Sequence, residues 1–114
     1  MNLKHIYKII DNEELQEAKL LGIYSGSIKD IQDGFIHFSA EEQIENTLKK
    51  YYSNKKDLVL LKVDTLNLDH LIWEQASDGN MFPHLYSKLD LSSVIEEIEI
   101  SLNENGNHKL PKNL

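Results

Sequence analysis

The chain has no cysteine and no arginine, and only two prolines, five glycines and one tryptophan in 114 residues. Without cysteine there is no disulfide, no thiol nucleophile and no thiolate metal ligand, which fits a reducing compartment. The few glycines form no Gly-x-Ser-x-Gly elbow, no phosphate loop and no dinucleotide fingerprint. No segment approaches the ~20 apolar residues that span a bilayer. The start, Met1-Asn2-Leu3-Lys4-His5, lacks the apolar run of a secretory signal, so a cytoplasmic protein is expected.

With 40% hydrophobic and 27% charged residues, the composition is that of a folded domain. The formal charge of −7 argues against binding nucleic acid by phosphate neutralisation, which needs a clustered basic footprint. Lys49, Lys50, Lys55 and Lys56 are close in sequence, but they fall at an expected helix end, where cations complement exposed carbonyls.

His5 to Ile10 reads as a strand, and Asp11 with Glu14 three residues on has the form of a capping box opening a helix that Gly22 ends. A loop with one helical turn near 28–31 leads to Gly34-Phe35-Ile36-His37-Phe38-Ser39. Strand alternation there puts Phe35, His37 and Ser39 on one face and Ile36 and Phe38 on the other. Ser39 with Glu42 suggests a second capping box, followed by a helix carrying Ile44 and Leu48. Leu58 to Val63 reads as a central strand. Leu71 to Glu74 and Met81 to Tyr86 form a loose hairpin about Ser77-Asp78-Gly79-Asn80, and Val94 to Ile100, with Glu96, Glu97 and Glu99, forms an edge strand. The expected organisation is one α+β domain over residues 1–102, with a poorly ordered tail over 103–114.

Chemistry centres on histidine, because imidazole alone titrates near neutral pH. His37 precedes a helix start, a place that favours an anionic ligand. Trp73-Glu74 and Phe82-Pro83-His84-Leu85-Tyr86 gather rings, a carboxylate and an imidazole, a mixture suited to a flat ligand or equally to a core. The histidine spacing matches no zinc signature, so a metal would need His37, Glu74 and His84 brought together from separate segments. No metal site is expected.

The order Asp33-Gly34-Phe35-Ile36-His37-Phe38-Ser39, Gln43, Leu58-Val59-Leu60-Leu61, Trp73-Glu74 and Phe82-Pro83-His84-Leu85-Tyr86 resembles the bacterial family called domain of unknown function nine-five-two, from about Ile6 to Ile100. Through it the chain resembles the ADP-ribosyltransferase fold, which implies a split, curved, mainly antiparallel sheet with two principal helices. Ile6-Tyr7-Lys8 and His37-Phe38-Ser39 are similar to strands of RNA 2′-phosphotransferases, although Lys8 stands where those carry histidine, Ser87 where the family carries glycine, and the phosphotransferase arginines are missing. The resemblance implies a nicotinamide dinucleotide or related nucleotide as ligand. Lys8, Ser39, Trp73, His84 and Tyr86 would bind it, with His37 and Glu74 as catalytic residues. A non-enzymatic module that binds a small anionic ligand through His37, Ser39 and His84 is the alternative expectation, and a metal-dependent hydrolase the third.

Overall fold

Strand β1, His5–Asp11, is followed without a loop by helix α1, Asn12–Leu21. The computed structural model describes residues 4–112 and 114. Asp11 caps α1 by accepting a hydrogen bond from the Glu13 amide, and Gly22 ends it with φ +75°, a left-handed value that costs glycine nothing. The expected return bond from Glu14 to Asp11 is not made. The first turn is capped through Glu13, which leaves the Glu14 carboxylate for another use.

The chain continues through β2, Ile23–Tyr24, α2, Ile28–Asp33, and β3, Ile36–His37. A 3-10 turn, Glu41–Gln43, leads into α3, Ile44–Tyr51, and the strands β4, Leu58–Asp64, β5, Leu71–Gln75, and β6, Met81–Leu85, follow. After these come β7, Leu89–Asp90, a 3-10 turn over Leu91–Ser93, β8, Val94–Leu102, and β9, His108–Lys109. The expected cap at Ser39 is displaced by one residue. Ser39 exchanges both backbone hydrogen bonds with Tyr7, 2.8 Å each, so the chain is still extended there, and the Gln43 side chain instead takes the Ala40 amide at 2.9 Å.

These elements make an α+β fold with three antiparallel sheets, ordered β1-β4-β8-β9, β3-β6-β5 and β2-β7. Strand β4 lies between β1 and β8 with its side chains buried on both faces, as its near-continuous apolar sequence requires. Leu61 and Val63 join Ile6, Ile10, Ile36, Phe38 and Leu85 on one face, while Leu58 and Leu60 join Tyr7, Ile9, Ile44 and Leu48 on the other. Glu96, Glu97 and Glu99 stay exposed on β8.

The segment from 103, expected to be a loose tail, turns back. Strand β9 pairs with Ser101 and Leu102, and Leu110 and Leu114 pack on the second apolar cluster, because β8 otherwise leaves an open edge and apolar surface. Among the described residues no helix is long and apolar enough to cross a membrane.

The two larger sheets meet at one seam. Strand β3 pairs with β6 at Ile36–Leu85 and His37–His84, then crosses to β1 at the Ser39–Tyr7 bridge. This crossing positions the candidate site.

Candidate functional site

The seam is held by a buried ion pair. Lys8, on β1, is 4% exposed, and its Nζ donates to Asp30 Oδ2 at 2.8 Å and to the His37 carbonyl at 3.0 Å. A buried ammonium is tolerated only when paired and hydrogen-bonded. Asp30 reaches it because Ser27 caps the short helix α2 in a capping box, the Ser27 hydroxyl accepting from the Asp30 amide while the Asp30 carboxylate accepts from the Ser27 amide. Gly26, with φ +111°, is required here, since a Cβ at that position would lie 2.8 Å from the Asp30 Cβ.

The same carboxylate takes the His37 amide at 3.1 Å and the His37 ring Nδ1 at 2.5 Å. The other ring nitrogen, Nε2, faces Asp33 Oδ2 at 3.0 Å. His37 is thus fixed in orientation by carboxylates on both sides, the arrangement by which a carboxylate sets the geometry of an acid–base histidine. Burial alone would raise the Asp30 pKa, but the His37 hydrogen bond and the Lys8 charge outweigh it and hold the carboxyl far below the usual range. Burial pushes the Lys8 ammonium below its ordinary value, against the pull of Asp30.

Strand register assembles the second part. His37 sits directly opposite His84, and Glu74 directly opposite Phe82, so Phe35, His37, Glu74, Phe82, His84 and Tyr86 share one face of the sheet β3-β6-β5. Phe35 stacks on His84 with ring centroids 4.0 Å apart and lies 4.6 Å from His37 and 5.1 Å from Tyr86. Glu74 Oε1 faces His84 Nδ1 at 2.9 Å and accepts from the Tyr86 hydroxyl at 2.5 Å. The Tyr86 hydrogen bond, then that of His84, lowers the Glu74 pKa, while the Tyr86 phenol is raised by the same contact.

Lys8, His37, Ser39 and His84 line a cleft of about 780 Å³ along the seam, together with Tyr7, Tyr24, Thr47, Tyr52 and Phe82. Glu74 and Tyr86 border it through His84. Trp73 is not among the lining residues: the alternation that turns Glu74 to the site face turns Trp73 to the other, where it packs partly buried against the first apolar cluster. Lys8 is in the cleft wall but engaged by Asp30. Among the described residues no three or more His, Asp or Glu side chains are placed to hold an ion, and His37 and His84 each direct a ring nitrogen to a carboxylate.

Sequence reasoning gave no site role to Asp30, Asp33 or Phe35, although strand alternation puts Phe35 on the face of His37. The spacing Ser27-x-x-Asp30 carried a capping-box signal for α2, but nothing local marked Lys8, 22 residues away, as its partner.

A family described as "Protein of unknown function (DUF952)" matches residues 9–97. Crystal structures of protein CC0527 from Caulobacter crescentus, the wild type and a double mutant, are each similar with TM-score 0.87 and 40% identity, over 92% of this chain and 93% of that one. The solution structure of the same protein gives TM-score 0.85 over 96% of both chains. No curated protein matches the chain.

Proposed function

We propose that the chain, which belongs to the DUF952 family, binds a nicotinamide dinucleotide or a related nucleotide in the seam cleft, as an ADP-ribosyltransferase-like protein of the cytoplasm. One observation carries the reading. Tyr7 and Lys8 from β1, His37 and Ser39 from the crossing segment and His84 from β6 converge on a single cleft where two antiparallel sheets part.

The volume of about 780 Å³ is that of a small-molecule site, and its lining suits a nucleoside. Tyr52 and Phe82 offer ring surface, Ser39 and Thr47 offer hydroxyls, and His37 offers an oriented imidazole. Lys55, and Lys29 from its exposed pair with Asp33, are the lining cations that would meet a pyrophosphate, since Lys8 is buried against Asp30. A bound dinucleotide supplies a labile bond between ribose and nicotinamide. Glu74, kept anionic by Tyr86 and His84, would stand beside the cleft to favour positive charge on the ribose, and His37 would hold or move a proton at Nε2.

Calorimetry with NAD, ADP-ribose and AMP tests the reading, with chromatography of the same mixtures for released nicotinamide. Binding that falls by about tenfold or more in His37→Ala is expected. Glu74→Gln should keep binding and lose turnover. Failure of all three compounds to bind at millimolar concentration sinks the reading. Binding with no nicotinamide released selects the second reading, a non-enzymatic module for a small anionic ligand, which the engagement of Lys8 and the absence of arginine favour.

A further inference from the structure

Away from His37, the same cleft has a pole of different character. Glu14, in the first turn of α1, and the rings of Tyr24 and Tyr52 line it beside Asp30. Tyr24 is 4% exposed, and its hydroxyl, sealed from solvent, makes no hydrogen bond among the described residues. A buried polar group without a partner costs roughly as much as a lost hydrogen bond, so its retention in a cleft wall calls for a partner that arrives from outside.

The surrounding charges define that partner. Asp30 is committed to Lys8 and His37, and Asp33 to His37 and Lys29. Asp11 is used in capping α1. Glu14 alone of the lining carboxylates has neither a cap nor an ion pair among the described residues. Burial raises the pKa of both Tyr24 and Tyr52, and the charges of Glu14 and Asp30 add to it, Glu14 also approaching the Tyr24 hydroxyl as an acceptor, so both phenols stay neutral beside the carboxylates. A group entering here meets a carboxylate without an ion pair, a phenol oxygen that receives no N–H donor among the described residues, and the faces of two rings, which together favour a cation that donates N–H bonds. The Lys55 ammonium already sits 5.9 Å from the centre of the Tyr52 ring, as an intramolecular example at the outer edge.

We propose that Glu14, Tyr24 and Tyr52 form a subsite for a protonated amine carried by a ligand or by an acceptor molecule. Glu14 supplies the counter-charge, the Tyr24 oxygen accepts one N–H, and Tyr52 flanks the cation. Glu14 is only half-buried, and it lines the cleft together with Tyr24 and Tyr52. The proposal deepens the reading above and rests on it only in that the cleft is a ligand site; the nucleotide's identity does not enter.

The probe is n-butylammonium, with n-butanol as its neutral counterpart, each titrated by NMR into the full chain. Saturable binding of the ammonium is expected, weaker by about tenfold or more in Glu14→Gln and by several-fold in Tyr24→Phe. Equal binding of butanol, no binding of the ammonium, or ammonium binding unchanged in both variants overturns the subsite. Nucleotide binding measured on the wild-type chain beside the amine separates the two readings: its absence with amine binding intact removes the nucleotide assignment alone.

Discussion

Asp30 does the work of three residues. One carboxylate, 2% exposed, neutralises Lys8, orients His37 and closes the cap of its own helix. Removing its charge strands a buried ammonium, so Asp30→Asn should destabilise the fold by about 3–5 kcal/mol, as read by denaturant unfolding. The pH dependence follows from the direction of its shift. A carboxyl whose folded pKa lies below its unfolded value, about 3.9, contributes stability that is complete above that pH and is lost as pH falls through the folded value. The stability gap between wild type and Asp30→Asn should therefore be constant from about pH 7 to 5 and shrink as the pH drops below about 4. A gap that widens on acidification would contradict the ionised assignment. Glu74 is the other carboxylate with a lowered pKa, but it lies at the surface, and its substitution is expected to change chemistry and not stability.

At the scale of elements, short pieces set the long ones. Helix α2 has six residues, too few to stand alone, yet its Ser27 cap and the left-handed Gly26 and Gly34 deliver Asp30 and Asp33 to the two nitrogens of His37. Gly26→Ala should cost about 1–3 kcal/mol from backbone strain, with a further displacement of Asp30 visible as altered His37 ring signals in NMR. The cap at Asp11 is simpler, and Asp11→Ala should lower stability by about 1 kcal/mol while leaving those signals in place. Helix and strand periodicity were readable in both regions, since α1 ends at Gly22 and β3 turns His37 from the core as alternation requires. The cap of α3 was misplaced because Ser39 is drawn into a backbone bridge with Tyr7, a partner 32 positions earlier that local spacing does not reveal.

For the whole molecule, the seam between sheets both joins the two apolar clusters and leaves the cleft. The last residues belong to this structure. A chain ending at Leu102 loses β9 and the packing of Leu110 and Leu114 on the second cluster, and should unfold at lower denaturant with a loss of about 1–2 kcal/mol for each of the two leucines. Unchanged unfolding would show that the segment adds nothing.

Composition and periodicity by themselves determined an α+β chain, the place of its central strand β4, the facing of His37, and the exclusion of thiol and phosphate-loop chemistry, because each depends on neighbours a few positions apart. Only the tertiary structure decided that His37 lies opposite His84, that Trp73 packs against the core, and that Lys8 is held by Asp30. Those facts rest on pairings between distant strands and on a buried charge whose partner is remote in sequence, and neither leaves a period for a single sequence to display.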